Sequence, residues 1–240
     1  MAPPGARVGV VADLWRYPVK SMGGVRARSL FLGPFGIQGD RLHAVVSPGG
    51  ALVTARRASR LLGFDAAYGD PEGTRDLVVT TPDGERLEPG DPALDTALSE
   101  FIGREVHLAQ ASAGVFDAAP LHIVCDASIA QLGEWSGLGH DIETRRFRPN
   151  VVVALDAPEP FAESEWVEAE IAFGHGPRVH VSSPTERCAV TTLDPDTLER
   201  DNRVLQALTG RLENLFGVYA SVTRPGWLHV GDPVVVHAVG

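Results

Sequence analysis

The dipeptide Arg187-Cys188 joins a thiol to a permanent cation. A neighbouring cation stabilises a thiolate, and a thiolate is either a nucleophile or a soft metal ligand. A lone cysteine is equally compatible with a small buried apolar residue. That second interpretation suits Cys125, which ends the apolar segment 121–125. Cys188 is therefore a candidate reactive or metal-binding thiol that needs support from other residues.

Two basic features could bind an anion. Lys20 is the single lysine among 21 Lys and Arg residues, and a compact ammonium suits one phosphate or carbonyl oxygen; a surface lysine without a role is the alternative. Segment 145–150 contains three arginines and leads into an apolar strand. Guanidinium groups bind phosphate bidentately, and Asn150 offers a donor and an acceptor to a heterocycle edge. A solvated charged loop would explain the same arginines.

Acidic residues adjoin these features. Asp40 and Arg41 follow a glycine-flanked turn, where the simplest interpretation is a turn cap and a surface ion pair. Asp194 and Asp196 lie in an Asp-Pro segment downstream of Cys188. These two carboxylates could relay a proton, or they could only shape the turn.

Composition excludes several classes of function. The chain has 31 Asp and Glu against 21 Lys and Arg, a formal net charge of −10. This balance argues against nucleic-acid binding and against attraction to an anionic membrane, so an anionic ligand must be captured locally. Two cysteines cannot hold an iron–sulfur cluster that needs four thiolates. The sequence also contains no phosphate-binding loop, serine nucleophile elbow, Cys-x-x-Cys or His-Glu-x-x-His motif.

The predicted location is the cytoplasm. The short apolar stretch 8–12 ends in charged and aromatic residues and does not have the pattern of a secretory signal. No run reaches the roughly 18 apolar residues of a membrane helix. The low cysteine content suits a reducing compartment.

The elements that must position these residues are mainly strands, so we predict a mainly β (α+β) fold with a few helices. Many short strands separated by Gly-Pro turns favour barrels or packed sheets. The predicted strands are 8–17, 26–32, 43–47, 76–80, 150–155, 178–182, 215–222 and 234–239. The predicted helical segments are 92–102, 127–134, a short turn at 159–166, and 201–209 with Gly210 as its C-cap.

Taken in order, these segments resemble the MOSC family, the domain shared by molybdenum cofactor sulfurases and amidoxime-reducing proteins. The segments similar to its N-terminal β-barrel module are 17–21, 39–41 and 54–56. Those similar to the MOSC domain are 127–128, 147–150, 187–188, 194–196, 214–217 and 231–232. The resemblance covers about residues 8–236 and implies an N-terminal module at 1–88 followed by a MOSC-type β-barrel domain at 89–240.

The resemblance also implies a molybdenum cofactor and a set of residues that bind it. By position, Cys188 would give its thiolate to molybdenum beside the pterin dithiolene. The residues implied to hold the phosphate and pterin are Lys20, Ser21, Arg41, Ser128, Arg148 and Asn150, with Thr185, Arg187, Tyr219 and Asp232 as further candidates. His43 stands where relatives often have tryptophan, on the substrate side of the pocket.

The implied activity is reduction of N-hydroxylated or N-oxide compounds, with Cys188 catalytic and Asp194 or Asp196 as proton relays. Electrons would come from a separate ferredoxin or flavoprotein, because this chain cannot hold its own cluster. Two alternatives remain: sulfur transfer through a persulfide on Cys188, and a non-catalytic cofactor carrier. We expect a small-molecule substrate and neither nucleic-acid nor membrane partners.

Overall fold

A computed structural model of the chain describes residues 5–70, 73–139 and 142–237. Its strands are β1 (Ala6–Arg16), β2 (Val25–Ala27), β3 (Ser29–Gly33), β4 (Gly36–Ile37), β5 (His43–Val46), β6 (Leu52–Val53), β7 (Asp65–Tyr68), β8 (Leu77–Thr80), β9 (Arg86–Leu87), β10 (His107–Gln110), β11 (Leu121–Cys125), β12 (Val151–Leu155), β13 (Glu170–Phe173), β14 (Arg178–Glu186), β15 (Leu215–Arg224), β16 (Gly226–His229) and β17 (Pro233–His237). Its α-helices are α1 (Pro92–Ile102), α2 (Asp126–Ser136) and α3 (Arg203–Leu212). Short 3₁₀ turns occupy Ser59–Gly63, Thr144–Phe147, Ala162–Trp166 and Ala189–Thr192.

The largest sheet closes into a barrel. Its strand order is β12-β11-β15-β14-β13-β17-β1, and β1 also pairs with β12, so the sheet has no free edge along these strands. In β1 a bulge between Val11 and Asp13 lets Val11 and Leu14 both enter the apolar core despite their odd spacing. Apolar residues from every barrel strand fill the interior.

Helices α2 and α3 cover one outer face of the barrel. Val124 and Val152 point from β11 and β12 into a cluster with Leu132 of α2 and Val204 and Leu208 of α3. This second apolar layer explains why β11, whose residues other than His122 are apolar, is buried on both faces.

A second unit is built on its own apolar cluster. The small sheets β10-β5-β6 and β7-β8-β9 pack with α1 around residues that include Val45, Phe64, Val79, Leu94 and Leu98. Helix α1 begins at the capping residue Asp91 and ends at Gly103, whose φ of 82° no other residue type adopts as readily. The chain enters this unit after β1 and returns to the barrel through residues 111–120. The division at residue 88 stays a prediction.

The mainly β class is confirmed, and each predicted strand and helical segment overlaps an element of the same type. Positions 238 and 239 of the last predicted strand lie outside the described residues. The predicted C-cap at Gly210 is wrong: α3 continues to Leu212, and Glu213 ends it with a φ of 51°. The helix continues because Leu212 extends the apolar stripe of Val204 and Leu208 against the barrel. Within the described ranges, no helix has the length and apolar character needed to cross a membrane.

Candidate functional site

A cleft lies between the barrel and the second unit, and both contribute its walls. It encloses about 790 Å³ of empty space, counting its open mouth. The second unit and the connecting segments contribute Lys20, Ser21, Arg41, Thr54, Ala55, Arg56, Phe116, Asp117 and Ala119. The barrel side contributes His122, Phe147, Arg148, Asn150, Glu186, Arg187, Cys188, Val190 and Tyr219.

Positive charge dominates this cleft. Its cationic lining residues, among those described, are Lys20, Arg41, Arg56, Arg148 and Arg187. Its carboxylates are Asp117 and Glu186. Since the whole chain carries a formal net charge of −10, the positive charge is concentrated here against the overall balance. Converging ammonium and guanidinium groups suit a phosphate or another oxyanion.

Three of the lining residues have left-handed backbone conformations. The φ angles are 71° at Ser21, 51° at Arg41 and 52° at Arg148. Such conformations are uncommon for residues other than glycine, and they persist where the surrounding structure enforces them, often at functional sites. Three cleft residues are thus held in backbone conformations that side chains other than glycine rarely adopt.

Two of the guanidinium groups lie close to the ring of Tyr17. Its ring centroid is 5.0 Å from Arg41 Cζ and 4.3 Å from Arg148 Cζ. Behind it, the buried carboxylate of Asp40 pairs with Arg41 and accepts a hydrogen bond of 2.7 Å from the Tyr17 backbone N–H. Asp40 and Arg41 therefore act inside the molecule, and not as the surface pair that their local sequence favours. Burial lowers the pKa of Arg41 but Asp40 raises it more, so the net shift is upward.

The fold buries the charged guanidinium group of Arg148, which is energetically unfavourable. Its Nη1 donates a hydrogen bond of 2.5 Å to the Met22 carbonyl oxygen. Burial, and then the like charge of Arg41, lower the pKa of Arg148 to about 10, so the side chain stays protonated at neutral pH. Its Nη2 is buried without a hydrogen-bond partner among the described residues. An anion bound here would relieve both the repulsion and the missing hydrogen bond.

Asn150 is buried, and it joins the cleft to the barrel. Its Oδ1 accepts hydrogen bonds from His122 N at 3.2 Å and from Arg41 Nη1 at 3.3 Å, and its Nδ2 donates to the Trp15 carbonyl oxygen at 3.3 Å. The carbonyl oxygen therefore has no free lone pair, and only one amide hydrogen is left for a ligand.

The thiol of Cys188 is at the cleft, directly after β14. Arg187 is fixed beside it, because its Nη2 donates a hydrogen bond of 2.7 Å to the Phe147 carbonyl oxygen and its backbone N–H donates to the Asn214 carbonyl oxygen at 2.7 Å. The other cysteine, Cys125, is fully buried in the barrel core, where burial raises the pKa of its thiol well above the ordinary value. Of the two thiols, only Cys188 is partly exposed and lines the cleft.

Asp117, on the segment that returns to the barrel, places a carboxylate among the cations. Its Oδ1 accepts a hydrogen bond of 2.9 Å from Lys20 Nζ and lies 3.8 Å from Arg56 Nη2. Burial alone would raise the pKa of Asp117, but the hydrogen bond and charge of Lys20 hold it below its usual value. For Lys20 the balance is the opposite: burial lowers its pKa more than Asp117 raises it.

Arg56 is a second cation beside the reactive thiol. The charge of Asp117, followed by a hydrogen bond with Cys188, raises the pKa of Arg56. From sequence alone, Arg56 belongs only to a segment similar to the N-terminal module, and Asp117 is not among the candidate residues. An isolated acid in a loop has no spacing signal, so only its contacts in the fold reveal it.

Six candidate residues from the sequence do not line the cleft. Ser128 is fully buried, where its Oγ donates to Glu163 Oε2 at 2.6 Å and accepts from the Phe161 backbone N–H at 2.8 Å. Thr185 is buried within β14, and its Oγ1 has no partner in the described ranges. His43 is also buried outside the lining, and burial lowers its pKa.

The other three are the aspartates. Asp194 Oδ1 accepts backbone hydrogen bonds of 3.0 Å from Asp196 and Thr197, and its Oδ2 accepts from Arg146 Nη2 at 2.7 Å. Asp196 pairs with Arg145 at 2.7 Å. Asp232 accepts a hydrogen bond of 2.8 Å from the His229 backbone N–H in the turn before β17. These contacts shape turns and loops.

The donor set of the cleft fits a phosphate-bearing metal cofactor. Within the described ranges, no group of three or more His, Cys, Asp or Glu side chains could hold a metal ion alone. A metal bound by the Cys188 thiolate must then bring its other ligands with it, as a metal in a pterin dithiolene does. The unpartnered Arg148 Nη2 and Arg187 Nε, with the Lys20 ammonium, provide donors for the anionic part of such a group.

Two protein-family models match this chain. The MOSC domain family matches residues 104–235, and the MOSC N-terminal beta barrel domain family matches residues 8–113. Mitochondrial amidoxime-reducing component 1 from Homo sapiens is 31% identical, with 95% of this chain and 83% of that protein covered. The protein of the same name from Mus musculus is 29% identical, covering 95% of this chain and 82% of that protein.

A solved structure supports the fold alone. The crystal structure of the YuaD protein from Bacillus subtilis is similar, with a TM-score of 0.55, 14% identity and 97% of each chain covered. The MOSC domain match by itself spans more than half of this chain. The chain therefore belongs to the MOSC family, and it carries both the MOSC domain and its N-terminal β-barrel module.

Proposed function

We propose that this chain is a molybdenum-cofactor-dependent reductase of N-hydroxylated or N-oxide compounds. The observation that carries the proposal is the position of Cys188, a partly exposed thiol in a cleft where five cations converge on an otherwise acidic protein. The names of the curated relatives support the reaction class. The proposed location is the cytoplasm.

Each part of the cleft has a distinct task in this proposal. Lys20, Arg41 and Arg148 bind the cofactor's phosphate and pterin through charge-assisted hydrogen bonds, and Ser21 adds a hydroxyl. Cys188 supplies the thiolate that fixes the metal. When bound, the cofactor supplies a metal centre that exchanges two electrons.

The overall reaction breaks an N–O bond. A hydroxylamine R–NHOH takes up two electrons and two protons and gives R–NH₂ and water. The electrons come from a separate ferredoxin or flavoprotein, and the protons come from solvent at the open mouth. Asp117 remains ionised at neutral pH because the pKa of its carboxyl is lowered, so it balances the charge of Lys20 and Arg56 and does not donate a proton.

Sulfur transfer is the second candidate. Cys188 is partly exposed between Arg187 and Arg56, and two guanidinium groups would also stabilise a persulfide anion there. In that case a desulfurase would supply the sulfur, and mass spectrometry of the purified protein would find one additional sulfur atom on Cys188.

The first experiment measures molybdenum and pterin in protein from a host that makes the molybdenum cofactor. We expect about one of each per chain in the wild type, and loss of the metal together with reduction of benzamidoxime in Cys188→Ala. Cys125→Ala is the matched control: it removes the buried thiol and retains the metal. A Cys188→Ala protein that keeps its metal and its activity rules out the proposal.

A further inference from the structure

A second recess adjoins the cleft and shares Cys188 with it. The two spaces also share Ala55, Arg56 and Val190. The recess encloses about 780 Å³, again counting its open side. The residues that line it alone are Arg57, Ser59, Ala189, Leu193 and Arg200. A molecule in this recess would reach the reactive thiol without occupying the part of the cleft lined by Lys20 and Arg148.

The recess carries positive charge that no carboxylate among its described lining residues neutralises. Arg57 and Arg200 are exposed, and neither forms an ion pair with a carboxylate in the described part of the chain. Arg200 Nη1 donates a hydrogen bond of 3.0 Å to Thr192 Oγ1, which orients the guanidinium group and leaves its charge unbalanced. No Asp or Glu is among the described lining residues.

Apart from the arginines, Ser59 and Cys188, the lining is apolar. Ala55, Ala189, Val190 and Leu193 provide a surface for an aromatic ring or a short hydrocarbon body. Guanidinium groups at the same recess bind phosphate or carboxylate oxygens in a bidentate geometry. The two features together fit a small molecule with an apolar body and an anionic group.

We propose that this recess binds the substrate, and that it selects N-hydroxylated compounds that carry a phosphate or carboxylate group. The inference rests on the proposed function and adds the substrate class. Arg57 and Arg200 bind the anionic group, the apolar wall packs against the body, and the N–O group lies toward Cys188. The reduction itself is unchanged: two electrons from the separate electron carrier and two protons convert R–NHOH to R–NH₂ and water.

The test compares three probes that share one reacting group: benzamidoxime, 4-carboxybenzamidoxime and 4-(phosphonomethyl)benzamidoxime. Binding to the cofactor-loaded protein is measured by calorimetry. Turnover is measured with reduced methyl viologen, so that no protein donor takes part. For the wild type we expect Kd and KM to be about tenfold lower for the charged probes, which corresponds to one net charge-assisted contact. The carboxylate and phosphonate arms distinguish the two anion types.

The variant Arg57→Gln/Arg200→Gln should lose this preference, so that charged and neutral probes bind alike. The matched control is Arg86→Gln/Arg104→Gln, which removes the same charge from exposed positions outside both the cleft and the recess. The control should retain the preference, which shows that the effect is local. Raising the salt concentration should weaken only the charged probes.

Failure of this inference and failure of the proposed function have different signatures. If the wild type reduces all three probes with equal KM, the substrate class is wrong and the reductase proposal stands. If charged probes bind and lose affinity in the double variant while no probe is reduced, the recess is an anion site and the reductase proposal is wrong. A preference that appears only with a protein electron donor also overturns the inference, since the arginines would then bind that donor.

Discussion

Two arginine-rich regions of this molecule differ in how their charges are balanced. In the loops around 143–146 and 194–203, three of the four arginines have a nearby carboxylate: Arg145 with Asp196, Arg146 with Asp194 and Arg203 with Asp201. The fourth, Arg200, lines the recess beside Cys188. In the cleft, the described lining contains five cations and only Asp117 and Glu186 as carboxylates. The three paired arginines of the first region are neutralised by their own carboxylates, whereas the cleft has an excess of positive charge that a bound anion could neutralise.

Arg146 and Arg148 make this difference clear, because they are two residues apart in one segment. Arg146 Nη2 pairs with Asp194 at 2.7 Å, outside the cleft. Arg148 faces the cleft and lies against Tyr17 and near the like charge of Arg41. An arginine paired with a carboxylate, such as Arg146, thus stabilises the fold. An arginine without such a partner among the described residues, such as Arg148, is a candidate for binding an anionic ligand.

The largest expected effect is on cofactor retention in Arg148→Met. Loss of a charge-assisted contact to an anion in a buried site lowers affinity by about 100-fold, or roughly 3 kcal/mol. The melting temperature of the apoprotein should change little, because burial and the repulsion from Arg41 already disfavour this charge. Pterin content and thermal unfolding of the apoprotein measure the two effects.

The companion change Arg146→Met should have the opposite effects, lowering the stability of the protein and leaving its cofactor content unchanged. It leaves Asp194 with its turn hydrogen bonds but without its cation, and we expect a loss of about 2 kcal/mol in the free energy of unfolding. Pterin content should match the wild type once the protein is folded. If Arg146→Met loses the pterin while Arg148→Met retains it, the contrast between the two regions is mistaken.

A smaller effect is expected when the internal carboxylate of the cleft is removed. In Asp117→Asn, Lys20 and Arg56 lose their anionic partner, so pyrophosphate should bind the apoprotein about five- to tenfold more tightly. Calorimetry with pyrophosphate measures this change. The control Asp83→Asn removes a carboxylate from an exposed turn outside the lining and should leave the affinity unchanged.

The same variant gives a prediction for pH. The folded-state pKa of Asp117 is depressed, so its ionisation contributes stability above the ordinary carboxyl pKa of roughly 4, and this contribution is lost as the pH falls through the folded pKa. The difference in unfolding free energy between wild type and Asp117→Asn should therefore shrink between about pH 5 and pH 3. A constant difference across this interval would contradict the assigned ion pair.

The smallest effect is expected for Arg145→Gln. The pair between Arg145 and Asp196 is well formed at 2.7 Å, but Asp196 is exposed to solvent. Exposed pairs contribute about 0.5 kcal/mol, so denaturant unfolding should show a change of that order that disappears in high salt. A change of several kcal/mol would mean that this region is more than a set of surface pairs.

Sequence patterns located the three α-helices and the longest strands, but not short strands such as β7, β10 and β13. Helix α1 has a capping aspartate, a proline at its first turn and a glycine after its end, so its bounds follow from local chemistry. At the end of α3, Gly210 predicts a local stop, but the contact of Leu212 with the apolar cluster on the barrel favours continuation to Leu212. Tertiary packing overrides a local signal when the two compete.

For the site, the sequence by itself determined which residue types are present: one lysine, a cysteine beside an arginine, and a basic segment that ends in asparagine. The tertiary structure decided which of them meet. It brought Lys20, Arg41, Arg148 and Cys188 into one cleft, added Asp117 and Arg56, and left Ser128 and Asp194 in the fold's own hydrogen bonds. The physical reason is that residue type and local backbone preference are properties of a short segment. Burial, charge balance and hydrogen-bond completion depend on partners elsewhere in the chain, which lie 97 residues apart for Lys20 and Asp117 and 126 residues apart for Arg148 and Met22.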